Sequence, residues 1–322
     1  MKIAHSLTEL ASFTQRSVVT IGNFDGVHCG HRMVIAAVRE RAAQLGTASV
    51  AVTFDPHPAH VLRTDSHLPL ITPLAQKLDL LAATGLDLTL VLPFTSELRH
   101  WTARHFAATV LHDALHAAEV HEGETFRFGY DAEADINNLT TLGAELGFAV
   151  QVYEPRTMRG AAISSSRIRK LIAEGNLHQS RALLGRAFSV HSTPASGRGY
   201  GTRYAVPTIN LAPYAELIPA HGVYITTLRV GTGETSRLFH GVTNIGNRPT
   251  FGADSFAVEA HLLDFEPIDL DEQTPLEMTF LLRLREERRF ESPELLRAQI
   301  MRDVGRAQRY FALGKALHCV SL

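Results

Sequence analysis

Strand-like and helix-like segments alternate through the first half of this chain, and that alternation restricts the fold more than any other feature. Ser17–Ile21 is β-rich, and residues 22–26 form a loop. The next stretch repeats apolar side chains at Ile35, Val38, Ala42 and Leu45 along one helical face. Gly46 stands where a helix stop belongs, and SVAVTF (49–54) reads as a buried strand. The pattern then recurs. A helix near 74–83 closes at Gly85 before LTLVL (88–92), another covers about 102–117, and one near 136–146 closes at Gly147 before FAVQV (148–152). Repetition of this kind predicts an α/β domain with a parallel sheet covered by helices on both faces.

After Leu184 the texture changes. Short β-rich runs follow at 223–230, 237–242, 257–263 and 278–284, with GTGE (231–234) as a hairpin turn between the first two. Closely spaced short strands predict a small, mainly β barrel or sandwich. A terminal helix starts at Ser292 and Pro293, a cap followed by a first-position proline, and runs through Leu295, Ile300 and Val304. The expected domains are 1–184 and 185–322.

The 322 residues are 45% hydrophobic and 20% charged, enough apolar material for two cores. The formal net charge of −2 gives the whole molecule no attraction to nucleic acid or an anionic membrane. No 18-residue apolar run is present, and MKIAHSLTEL has no leader pattern. Cys29 and Cys319 are the only cysteines, which excludes a disulfide framework. The expectation is a cytoplasmic protein with no membrane and no nucleic-acid partner.

In TIGNFDGVHCGHRMVI (20–35), two histidines stand one helical turn apart just after the first strand. Open α/β sheets bind ligands at that edge. No G-x-x-x-x-G-K-[ST] and no G-x-G-x-x-G is present. What remains is His28 and His31 opening a helix whose free amides favour an anion, with Gly30 allowing close backbone approach. Two imidazoles there suit the charge that grows on phosphate in a transition state. The competing readings are a zinc site, for which no second ligand cluster stands out, and ordinary surface histidines in a chain that has 17. ISSSRIRKLIAEG (163–175) is a second anion-competent helix start, with Ser164, Ser165, Ser166, Arg167 and Arg169; alone it also fits a capped surface helix.

GNFDGVHCGH, TFDPHP (53–58), FRFG (126–129) and ISSSRIR together resemble the adenylyltransferase half of the bacterial bifunctional riboflavin kinase/FAD synthetase family. VPTINL (206–211), HGVY (221–224), NIGNRPTF (244–251), VEAHLLDF (258–265) and LREERRF (284–290) resemble its kinase module, in the same order. The resemblance implies a Rossmann-like nucleotidyltransferase domain followed by a flavin-kinase barrel. Their substrates would be riboflavin, FMN and ATP, with Mg²⁺ on the nucleotide. It gives His28, His31 and Arg169 catalytic roles in AMP transfer. Gly22, Asn23, Phe24, Asp25, Gly30, Ser164, Ser165 and Ser166 would surround the nucleotide phosphates. In the kinase it makes Glu259 the general base and Thr208 and Asn210 the Mg²⁺–ATP ligands, with Gly197, Gly199 and Gly201 in a loop over the phosphates. Thr125 and Arg285 are its flavin contacts. Read without the resemblance, Glu259 is equally a strand-face acid, Thr208 part of a turn, the glycines a surface loop, and Arg285 a solvated arginine.

Several residues depart from the family pattern. Thr125 stands where Asn or Asp is common, and Ala132 and Ala134 where Arg and Gly are usual. Ser166 replaces a threonine, Ala205 a glycine, and Asp271–Glu272 a Tyr-Gly pair. Two alternatives therefore stay open: a riboflavin kinase with an impaired N-terminal half, or a non-catalytic flavin- or nucleotide-binding regulator.

Overall fold

The computed structural model describes residues 1–62, 68–195, 208–247, 256–263, 265–266 and 270–316. Packing divides the chain into Met1–Arg167 and Ile168–Leu322, a division that falls earlier than the change of sequence texture after Leu184.

The first unit is built on β1 (Lys2–Ala4), β2 (Ser17–Ile21), β3 (Ala48–Asp55), β4 (Leu88–Pro93), β5 (Ala117–Gly123) and β6 (Ala149–Tyr153). They form one parallel sheet in the order β1-β4-β3-β2-β5-β6. Its helices are α1 (Cys29–Leu45), α2 (Pro58–Leu62), α3 (Leu74–Ala82), α4 (Ser96–Arg99), α5 (Ala103–Phe106) and α6 (Ile136–Leu146). A π-helical stretch, Ala107–Ala114, continues α5. Side chains alternate across the sheet as the period of two requires. Val19 and Ile21 of β2 join Val50, Val52 and Leu90 under Val110, Leu111 and Leu139, while Val18 and Ala51 face Ile35, Val38 and Ala42 of α1. Both faces are thus covered, as the alternating pattern predicts. Gly46 closes α1 in the left-handed conformation (φ 65°), which an L side chain adopts only with strain.

The short hairpin β7 (Thr157–Met158) and β8 (Ala161–Ala162) leads into α7 (Ser165–Ala173), which begins in the first unit. The second unit adds α8 (Leu177–Leu184), β9 (Phe188–Ser192), β10 (Thr208–Asn210), β11 (Gly222–Val230), β12 (Arg237–Asn247), β13 (Phe256–Leu263), β14 (Leu276–Arg285) and α9 (Pro293–Ala316). The strands form an antiparallel sheet ordered β10-β13-β12-β11-β14-β9. The chain beyond β9 meets the chain beyond β10 through a Pro194–Leu211 bridge, with Ala195 N donating to Asn210 O and Ala212 N to Thr193 O, both at 2.8 Å. The two edges therefore join, and the sheet curls into a small barrel. Tyr224 packs edge-on to Phe280 on one face of the sheet. On the other face Val223, Ile225, Val242 and Leu284 pack with Ala307 and Phe311 of α9.

Candidate active sites

At the carboxyl ends of β2, β5 and β6 a cavity of about 250 Å³ opens beside the start of α1. His28 is the N-cap of α1: its Nδ1 accepts from the His31 amide at 3.2 Å, which puts the proton of the neutral ring on Nε2. The two rings stack with centroids 3.6 Å apart, and Phe24 (φ 47°) meets His31 edge-on at 5.2 Å. His31 Nδ1 is buried and has no hydrogen-bond partner among the described residues. Burial, reinforced by His28 and Lys77, holds the His31 imidazole well below its ordinary range. Gly22, Phe24, His28, Gly30 and His31 all line the cavity. The glycine at 30 also makes room for the cap, since a Cβ there would lie 3.1 Å from His28 Cε1.

The second helix start comes to the same place. Ser164 Oγ accepts from the Arg167 amide at 3.3 Å, capping α7, and Ser165 Oγ donates to Asp25 O at 2.8 Å. Ile163 lines the cavity. Arg167 is turned away from it, its Nη1 donating to the carbonyls of Met158, Ala161 and Ala162 in the β7–β8 hairpin. Ser166 is exposed, and Arg169 is half-buried one turn further along α7.

Asp25 and Asn23, expected around the nucleotide phosphates, are not among the cavity's lining residues. The Asp25 carboxylate accepts from the amides of Ile71 (2.9 Å) and Thr72 (3.0 Å), pinning that loop under the histidine turn. Asn23 offers its carbonyl to Lys77 Nζ and to Thr53 Oγ1, both at 3.3 Å. Lys77 was not legible as a site residue. It is buried, also donates to Thr53 Oγ1 and Phe54 O, and has its pKa lowered by desolvation. A lysine at the i+3 position between Leu74 and Leu81, on the apolar face of α3, was the available signal.

Thr125 lines the cavity. Ala132 and Ala134 do not: Ala132 takes φ 56°, and Ala134 exchanges two backbone hydrogen bonds of 3.1 Å with Phe128.

In the second unit, register brings the predicted kinase residues together. Glu259 on β13 stands opposite Asn210 on β10 and opposite Asn244 on β12, so the three share a face. Thr208 lies two residues from Asn210 on that face, opposite His261, whose pKa burial lowers. Glu259 is exposed and the flanking groups are half-buried. Asn244 was not singled out beforehand, although it opens NIGNRPTF. One carboxylate with hydroxyl and amide oxygens is a hard donor set that fits Mg²⁺ shared with phosphates. Among the described residues no cluster of three His, Cys, Asp or Glu side chains could hold a metal by itself.

Arg285, the expected flavin contact, makes an ion pair within the second unit. Its Nε donates to Asp303 Oδ2 of α9 at 2.8 Å, and Gln299 Nε2 donates to Asp303 Oδ1 at 2.9 Å. The pair ties β14 to the terminal helix. Asp271, at the departure from Tyr-Gly, makes a local turn by accepting from Gln273 N and Thr274 Oγ1. Gly197, Gly199, Gly201, Ala205 and Cys319 lie outside the described residues.

A phosphate-competent pair of helix starts on a parallel sheet, followed by a barrel bearing an accessible carboxylate, defines a two-domain enzyme of phosphate-group transfer. Comparison with known proteins gives the particular case. The FAD synthetase family model matches residues 10–167 and the riboflavin kinase model residues 184–311. The chain is 34% identical over 309 residues to the bifunctional riboflavin kinase/FMN adenylyltransferase of Pseudomonas fluorescens, covering 96% of this chain and 97% of that protein. It is 33% identical over 316 residues to that of Escherichia coli strain K12, covering 98% and 99%. A solved structure described as a macrolide-efflux protein from Streptococcus pneumoniae has a TM-score of 0.83 at 25% identity, covering 95% of this chain and 98% of that one. Among the described residues no helix is long and apolar enough to cross a membrane. The chain belongs to the bifunctional riboflavin kinase/FMN adenylyltransferase family. The matches to both domains favour that reading over a lone kinase or a non-catalytic regulator.

Proposed function

We propose that residues 1–184 transfer AMP from ATP to FMN and that residues 185–322 phosphorylate riboflavin, so that one chain makes FMN and then FAD. The observation that carries the first half is His31 Nδ1, a buried polar atom left without a partner in a ligand-sized cavity at a helix start. In that site an oxygen of the FMN phosphate attacks the α-phosphorus of ATP, the bond to the bridging oxygen breaks, and pyrophosphate leaves. No enzyme base is needed, because the nucleophile is already an anion. His31, oriented by the His28 cap, stabilises the charge that grows on the α-phosphate. The positive ends of α1 and α7, with Ser164, Ser165, Ser166 and Arg169, hold the departing phosphates. Asp25, Asn23 and Lys77 act one layer back by fixing the turn.

In the barrel the primary hydroxyl of the ribityl chain must lose its proton as its oxygen attacks the γ-phosphorus and ADP leaves. Glu259, exposed on a rigid strand, accepts that proton. Thr208 and Asn210, with Asn244 alongside, are the oxygen donors that would hold Mg²⁺ with ATP. Bound there, the ion neutralises phosphate charge. The glycine loop around Gly197 and Gly201 is assigned to the phosphates on the resemblance alone, and Arg285 to anchoring α9. We place the enzyme in the cytoplasm, with small-molecule partners and no nucleic acid, supported by its two cysteines and net charge of −2.

The test is a time course on purified protein with riboflavin, ATP and Mg²⁺, resolved by chromatography. FMN should appear first and then convert to FAD. FMN that accumulates with no FAD, even when FMN is supplied directly, would remove the AMP-transfer half of the proposal.

A further inference from the structure

Of the ionisable groups in the wall of the AMP-transfer cavity that these roles leave unused, Glu122 is the buried one. Glu122, near the end of β5, is 5% exposed and lines the cavity together with Gly22, His28, His31 and Thr125. Its Oε1 accepts from Thr20 Oγ1 at 3.3 Å and from the Ile21 amide. Burial and these two hydrogen bonds are the influences on its ionisation, and no charged neighbour contributes. A buried carboxylate with no cation beside it is costly, so burial pushes this carboxyl well above the usual carboxylate range and favours its protonated form. A neutral acid has one hydroxyl donor. With Oε1 accepting two hydrogen bonds, the proton belongs on Oε2, which no described group engages.

A cavity ligand with an acceptor is therefore needed, and the lining says which part of it. The His28–His31 turn takes phosphates. The rest of the lining mixes apolar Val34, Phe126, Pro155 and Ile163, which suit the face of a flat ring, with Glu154 and Arg156. A nucleotide whose phosphates sat at the helix start would fill the remainder of the same cavity with its base.

We propose that Glu122 donates a hydrogen bond to a ring nitrogen of the adenine of ATP, making it a base-recognition residue of the AMP-transfer site. The proposal rests on the AMP-transfer reading of the N-terminal half.

Steady-state AMP transfer by the full-length chain tests it, using ATP and its 1-deaza, 3-deaza and 7-deaza analogues. The wild type should use one of the three about tenfold less well than ATP, the effect of one lost hydrogen bond. Glu122→Val should raise the KM for ATP about tenfold, abolish that discrimination and leave the KM for FMN unchanged. Glu122→Gln keeps an acceptor for Ile21 and an N–H donor for the base, and should stay within about threefold of wild type. Unchanged riboflavin phosphorylation by the same proteins, with a cooperative melting transition retained at the assay temperature, certifies the fold. An unaltered KM for ATP in Glu122→Val overturns the proposal, as does a rise confined to FMN, or a Gln variant as damaged as the Val one. A wild-type chain that forms no FAD would instead overturn the reading beneath it.

Discussion

In the α/β unit the candidate groups stand at helix starts and strand ends, locked in place: His28 caps α1, Asp25 holds two amides, and buried Lys77 grips three oxygens. In the barrel they stand in a row across strands, with Glu259 open to solvent between Asn210 and Asn244. The difference follows the chemistry. Transfer to a phosphate anion asks for preorganised donors and no base, which suits a rigid, partly desolvated turn. Transfer to an alcohol asks for a base that the incoming hydroxyl can reach, which suits an exposed strand position.

The contrast can be broken by mutation, beginning with the largest effect. Glu259→Gln should lower riboflavin phosphorylation about a thousandfold while FMN-to-FAD conversion survives, measured by separate assays of the two steps. Loss of both activities would mean that the sites are not independent. His31→Ala should do the reverse, lowering AMP transfer about a hundredfold with kinase turnover intact. If AMP transfer were unchanged, the phosphate clamp would be misassigned. Asp25→Ala leaves the buried amides of Ile71 and Thr72 unpaired, so denaturant unfolding should show a loss of about 2 kcal/mol in the N-terminal transition. The C-terminal transition should not move.

The smallest effect is a trend with pH. Because burial raises the Glu122 carboxyl in the folded protein, its contribution to stability is complete below the unfolded carboxyl value, about 4.3, and is lost as pH rises toward its higher folded value. The melting temperature of Glu122→Gln, relative to wild type, should therefore rise between pH 5 and pH 8. A difference that is flat with pH would mean that Glu122 is ionised in the folded state.

Sequence patterning exposed the elements whose side chains face only core or solvent. β2, β3, β4 and α1 were readable because their apolar residues recur at the period of a strand or a helix. β5 was not, although it pairs directly with β2, because AAEVHEG places Glu119, His121 and Glu122 in a sheet interior. Those groups are accommodated by distant partners: Arg41 on Glu119 at 2.7 Å, Tyr153 on His121 at 2.9 Å, and the Ile21 amide on Glu122. Local pattern carries no record of such partners. The same reason hid Lys77, and it hid the Asp303 partner of Arg285, which read locally as a solvated arginine. β10 read as a turn because Pro207 precedes it, and its three residues gain strand geometry only by pairing with β13.

The central claim is that two separate sites on one chain act in sequence through FMN. The most direct measurement mixes the purified Glu259→Gln and His31→Ala proteins with riboflavin, ATP and Mg²⁺ and follows the flavin products. Alone, the first should give neither FMN nor FAD from riboflavin, and the second should stop at FMN. Together they should form FAD, because FMN made by one is adenylylated by the other. A mixture that stops at FMN would contradict the account.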